Sequence, residues 1–125
     1  EWIYVKDNCE AILKIFLKGK IGESYNIGTG IKLKNIDLVK RILQIAKKNN
    51  NKLSKKVKIV YVKDRPGHDL RYALNSKKIK SKLHWKHKIL TNKGLEYTFN
   101  WYKNNLGYFK KISKKNISER LGLKL

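Results

Sequence analysis

The chain is short of several things, and each shortage excludes something. It has one cysteine, Cys9, so it forms no internal disulfide, and Cys9 lacks the neighbours of a metal cluster. A reducing, cytoplasmic compartment is the simplest expectation. Its apolar stretches are a handful of residues long and interrupted by lysine, far short of the roughly 20 needed to cross a bilayer, so no membrane association is expected. Proline occurs once, at Pro66, and acidic residues number only 9 against 31 lysines and arginines, for a net charge of +22. Residue 1 is Glu rather than Met, and no charged leader with an apolar core opens the chain, so the start of the protein is expected upstream. What is present, 41% hydrophobic and 10% aromatic residues in a length of 125, suits one folded domain and is too apolar for a disordered tail.

A charge this positive suggests a polyanion partner, and a basic nucleic-acid-binding module is the reading from another class. Its composition argues against that. Only Arg41, Arg65, Arg71 and Arg120 are arginine, whereas phosphate and base-edge recognition favours arginine's planar fork. Lysine, asparagine and isoleucine are inflated together, as an AT-biased genome would inflate them, and the lysines are dispersed instead of forming a stripe interleaved with stacking aromatics. Nucleic acid is therefore not the expected partner.

Periodicity gives a mixed order of elements. Residues 2–5 read as extended. Asp7, with Glu10 three positions on, has the capping-box spacing for a helix whose core face carries Ala11, Ile12, Ile15 and Phe16 and which ends at Gly19 or Gly22. Residues 24–27 read as a buried strand closed by Gly28-Thr29-Gly30. Asn35 is read as the N-cap of a helix with Ile36, Val39, Ile42, Leu43 and Ala46 on one face, and Lys47 and Lys48 suit its negative carboxyl end. A lysine-rich and asparagine-rich loop follows. Residues 57–62 alternate as a strand does, residues 71–74 read as a short strand, Asn75 or Ser76 caps a helix to about Leu83, and Thr91 opens a longer helix through Tyr102. Helices interleaved with short strands make the fold class α/β or α+β. Residues from 106 on are basic and weakly patterned.

The segment Asp64-Arg65-Pro66-Gly67-His68-Asp69 follows a predicted strand and holds the only proline, so it should form a rigid turn presenting Arg65 and His68. Such a turn can grip a diphosphate. Arg65 can donate two parallel charge-assisted hydrogen bonds, Gly67 lets backbone approach a ligand, and His68 adds a donor. The plain alternative is a surface turn in which Arg65 pairs with Asp64 or Asp69. His84 and His87 are spaced as a loose metal pair, but zinc would need further ligands, and two solvent-facing residues are the simpler reading. Cys9 is read as a packing residue, and Trp2, Trp85 and Trp101 as core or contact aromatics.

The same segment, continuing as Arg71, Tyr72 and Ala73, resembles the Asp-Arg-Pro-Gly-His-Asp-x-Arg-Tyr-Ala signature of dTDP-glucose 4,6-dehydratases. Other matches occur in the family's order: Glu1, Trp2, Tyr4, Val5 and Asp7; Tyr25-Asn26-Ile27-Gly28; and Leu83, Trp85, Gly94, Leu95, Trp101 and Tyr102. The resemblance covers about residues 1–105, leaving 106–125 as a basic extension. It implies the carboxy-terminal nucleotide-sugar-binding part of an extended short-chain dehydrogenase, with Asn35, Asp64, Arg65, Pro66, Gly67 and His68 lining a site for dTDP-glucose. For Asn35 a helix cap is the alternative role. A fragment of a nucleotide-sugar epimerase, or of a dehydratase for another nucleotide sugar, is the neighbouring possibility. Family chemistry is NAD-dependent dehydration on a Rossmann domain, with a homodimer expected for the full-length protein. This sequence has no Gly-x-x-Gly-x-x-Gly, no Tyr-x-x-x-Lys and no Asp-Glu pair, so no catalytic or cofactor-binding residue is assigned and the chain alone is expected to be inactive. Lys6, Asn8, His84 and His87 depart from the family's usual glutamate, histidine, glycine and proline.

Overall fold

A computed structural model describes residues 1–49, 57–64, 66–110 and 112, with the backbone alone at 109. Helix α1 runs Val5–Lys18 and ends at Gly19, whose N–H donates to the Ile15 carbonyl at 2.7 Å. Its cap position is Tyr4, with no side-chain cap bond. Asp7 therefore lies one turn inside the helix, where its charge suits the positive amino end, and it is 2% exposed. The capping-box reading of Asp7 is overturned, because the carboxylate is committed elsewhere. The face α1 buries is Asp7, Ala11 and, partly, Ile15, at i, i+4 and i+8. Ile12 and Phe16, expected in the core, are 54% and 83% exposed, since they project from the opposite side.

Helix α2 spans Asn35–Asn49. The Lys34 carbonyl accepts the N–H groups of Asp37 and Leu38 at 3.0 and 3.1 Å, which puts Lys34 at the cap and Asn35 at the first helical position. The N-cap role expected of Asn35 thus falls to its neighbour. Leu38, Ile45 and Ala46 are the buried residues, while Val39 and Ile42 are more than a third exposed. The inner face is rotated from the expected one because, among the described residues, α2 packs chiefly on the later helix α4.

Helix α3, Lys77–Leu83, has Ser76 at its cap position with no side-chain cap bond, and the Oδ1 of Asn75, one residue earlier, accepts the Lys77 N–H at 3.1 Å. It closes on His84 in a left-handed conformation (φ 50°, ψ 36°), with the Ile79 carbonyl accepting the His84 N–H and, at 3.5 Å, that of Trp85. Helices α4, Thr91–Asn104, and α5, Leu106–Lys110, complete the order. Ala11 of α1, Ile79 and Leu83 of α3 and Trp85 form the core, backed by Ile3, Ile15, Tyr25 and Ile27. Gly94 sits against Tyr4, where a Cβ would come within 3.0 Å of the tyrosine Cβ.

No β-ladder occurs among the described residues. Residues 24–27, 57–62 and 71–74 are free of helix but lack the paired neighbour that defines a strand. Residues 57–62 are exposed throughout, so the alternation there buries no face. Cys9 is exposed, not packed. His84 is exposed, but His87 is half-buried, and its Nδ1, like the Trp85 Nε1, is buried with no hydrogen-bond partner.

Candidate functional site

Three sequence segments that are far apart in the chain meet at residues 72–75. The Glu1 carboxylate accepts the Gly30 N–H at 2.6 Å on Oε1 and the Leu74 N–H at 3.1 Å on Oε2, and the Glu1 main-chain nitrogen donates to the Tyr72 carbonyl at 3.3 Å. The Asn26 amide donates to the Asn75 carbonyl at 3.4 Å, and the Thr29 hydroxyl donates to the Trp2 carbonyl at 3.4 Å while accepting the Ile31 N–H. Partial burial pushes the Glu1 carboxyl up, but the Gly30 and Leu74 amides and Lys80 outweigh it and hold it below its ordinary value. Gly28 is buried at this junction, and a Cβ there would run into the Glu1 carboxylate and approach the Leu74 Cβ to 3.4 Å. A side chain at this position would displace the Glu1 carboxylate from the Gly30 and Leu74 amides.

On this footing stands the turn at residues 64–69. Asp64, Pro66, Gly67, His68 and Asp69 are all exposed, and Gly67 has φ 67°, a left-handed angle that favours glycine. Arg65 lies outside the described residues. The Asp69 carboxylate accepts the Tyr72 hydroxyl at 2.6 Å, which ties the turn down to the residues that Glu1 and Asn26 hold. Asn35 is exposed at the start of α2, five residues beyond Gly30, and no described contact joins its side chain to the turn.

The cavities lie elsewhere. One of about 660 Å³ is bounded by Trp2, Tyr4, Leu38, Ile42, Trp101 and Tyr102 among others, between the first residues, α2 and α4. Its rim is aromatic, with Tyr4 and Tyr97 5.7 Å apart and Trp101 edge-on to Tyr102 and Tyr108. A second, of about 540 Å³, lies between α2 and the start of α4 and is lined by charged side chains. Neither includes a residue of the turn. No group of three or more metal-ligating side chains occurs among the described residues, and no described helix is long and apolar enough to cross a membrane.

Two polar anchors were not read from the sequence. Glu1 was visible only as part of a motif match. Asp7 was taken for a cap, whereas its two oxygens accept the Lys88 and Ile89 N–H groups, each at 3.0 Å, which fixes the start of α1 to the link between α3 and α4.

The chain is similar to known proteins in sequence and in fold. The chain is 40% identical to the dTDP-glucose 4,6-dehydratase of Escherichia coli over 98% of its own length and 36% of that protein's, and 36% identical to the human dTDP-D-glucose 4,6-dehydratase over 90% and 32%. It superposes on the crystal structure of the Bacillus anthracis dTDP-glucose 4,6-dehydratase, solved with NAD, with a TM-score of 0.76 at 35% identity, covering 90% of this chain and 34% of that one. A Streptomyces venezuelae dTDP-glucose 4,6-dehydratase, solved with NAD and a dTDP ligand, gives a TM-score of 0.73 at 34% identity, over 86% and 32%. The chain thus spans about a third of the length of the relatives it matches. Residues 1–98 match the model of the family described as GDP-mannose 4,6 dehydratase, and the chain, similar over nearly all its length to the dTDP-glucose 4,6-dehydratases, belongs to that family.

Proposed function

We propose that this chain supplies the nucleotide-sugar-binding part of a dTDP-glucose 4,6-dehydratase. Asp64, Arg65, Pro66, Gly67 and His68 line the dTDP-sugar site, with Arg65 on the diphosphate and Asn35 contributing from the start of α2. The observation that carries this reading is the junction beneath the turn. Glu1, Asn26 and Gly28 hold residues 72–75 from remote parts of the chain, so an exposed turn that adds nothing to the core has a firm footing. A merely connecting loop has no use for that support, whereas a ligand grip needs it.

NAD does not fit on these residues. The sequence offers no Gly-x-x-Gly-x-x-Gly opening a helix, the cradle that seats a dinucleotide pyrophosphate. In this reading the cofactor and the dehydration chemistry, in the cytoplasm, belong to the part of the relatives that this chain does not match. The outward side of α1, with Ile12, Leu13, Phe16 and Leu17 more than half exposed, packs on that part, and residues 24–27, 57–62 and 71–74 find their strand partners there to complete an α/β fold. Residues 106–125 lie beyond the sugar-binding part.

Titrating dTDP into the 125-residue chain by calorimetry tests the assignment. Binding should weaken on Arg65→Ala by about 10-fold to 100-fold, the equivalent of roughly 1.5–3 kcal/mol for hydrogen bonds to a charged group. A folded chain whose dTDP affinity is unchanged by Arg65→Ala sinks the clamp.

A further inference from the structure

The cleft between α2 and α4 is unrelated to the turn, and its chemistry points to a ligand of its own. Arg41, Gln44 and Lys48 fall at i, i+3 and i+7 on α2 and so share one side of the helix, with Lys47 adjacent and Ile45 as an apolar floor. Three cations thus line a space of about 540 Å³ whose single acid is Glu96. Glu96 is already engaged by Lys93 at 3.2 Å. Lys47 and Lys48 make no ion pair among the described residues.

Arg41 is the informative member. Its Nη1 donates to the Asn92 Oδ1 at 2.7 Å, which orients the guanidinium across the gap between the helices while leaving most of its five N–H donors unused. The two lysines have an ordinary explanation, since cations suit the carboxyl end of a helix. Arg41, two turns earlier, does not share it. A fixed guanidinium and two ammonium groups without an ion pair share one cleft, their mutual repulsion is relieved when an anion enters, and the cleft lies within the size range of small-molecule sites.

We infer that this cleft binds a small multivalent oxyanion of the phosphate class, gripped by Arg41, Lys47 and Lys48. The assignment is independent of the dTDP-sugar reading. The probe is inorganic pyrophosphate, titrated into the 125-residue chain and followed by backbone amide NMR. Saturable shifts are expected at residues 41–48 and 92–96. Lys47→Gln/Lys48→Gln, which breaks no described bond within the fold, should lower the affinity about tenfold or more, the scale of losing charge-assisted hydrogen bonds. Arg41→Gln should do the same with the helical circular dichroism unchanged. Lys18→Gln/Lys20→Gln, which removes equal charge at and just beyond the end of α1, should leave it within about twofold, the scale of a screened distant charge. Loss of affinity in proportion to charge removed anywhere overturns the site, as do shifts confined to residues 64–69. Displacement of pyrophosphate by a mixed-sequence oligonucleotide, with a salt slope of many released counterions, would assign the cleft to nucleic acid and overturn the small-ligand reading.

Discussion

Removing the Asp7 carboxylate should damage this fold more than any other single change to a charged residue. Asp7 is 2% exposed, and both oxygens accept main-chain N–H groups, of Lys88 and Ile89, at 3.0 Å. Hydrogen bonds to a charged group contribute roughly 1.5–3 kcal/mol each, and the two share one carboxylate, so simple addition overstates the pair. Asp7→Ala strands both amides in a partly buried position and leaves a small void, for an expected loss of about 3–5 kcal/mol. Asp7→Asn keeps one acceptor but turns an amide NH₂ toward the other N–H, so about 2–3 kcal/mol should go. The assay is urea unfolding followed by circular dichroism, in which a slope of roughly 1–3 kcal/mol per molar converts these losses into midpoint shifts of about 0.7–5 M. Glu10→Ala is the control. Glu10 pairs with the side chain of the same Lys88 at 2.8 Å, but both side chains are at least half exposed, and such pairs contribute little. If Asp7→Ala shifts the midpoint no more than Glu10→Ala, the claim that Asp7 is a structural clamp is refuted.

Two further outcomes follow from local geometry. His84 holds a left-handed φ of 50° at the end of α3, which costs a side chain roughly 1–2 kcal/mol relative to glycine. After the entropy that glycine loses on folding, His84→Gly should stabilise the chain by about 0.5–1 kcal/mol, raising the melting temperature by a few degrees. No gain would mean that His84 makes compensating contacts. For Glu1 the folded carboxyl sits below its usual 4.5, so its contribution is present above that pH and is lost as pH falls through the folded value. Glu1→Gln should therefore flatten part of the acid limb of a stability–pH curve, and an unchanged limb would show that the Gly30 and Leu74 contacts add nothing.

Local chemistry was legible in the sequence, and tertiary commitments were not. Helix positions, the stop at Gly19, the start of α3 after Ser76 and the core role of Trp85 all follow from residue type and spacing. The inner faces of α1 and α2 came out rotated because periodicity locates an apolar stripe without saying which part of it meets a partner. Phe16 and Ile12 are as apolar as Ala11 and Ile15, and only the placement of α3 decides that the latter pair is covered. Asp7 was misread for a related reason. An Asp followed three residues later by a Glu satisfies a capping box by spacing alone, while its true partners, 81 and 82 residues away, leave no local trace. The turn at residues 64–69 was visible through its proline and glycine, but its support by Glu1 and Asn26 was not, because those bonds cross from other segments.

The acidic residues carry more structural information than the basic ones. Nine remain in a chain with net charge +22, and four of them join segments more than fifty residues apart. Glu1 reaches Leu74, Asp7 reaches Lys88 and Ile89, Glu10 reaches the Lys88 side chain, and Glu23 pairs with Lys78. A drift toward lysine can replace surface residues freely, since an exposed charge changes stability little. It cannot replace a carboxylate whose oxygens satisfy buried or shared N–H groups, because lysine has no acceptor to offer them. Dispersed lysines together with carboxylates at the joints are therefore the pattern expected where exposed positions tolerate lysine and acceptor positions do not. A surface selected throughout for a polyanion would instead gather its cations, which is why the cleft where Arg41, Lys47 and Lys48 gather stands apart from the other positive charge on the described residues.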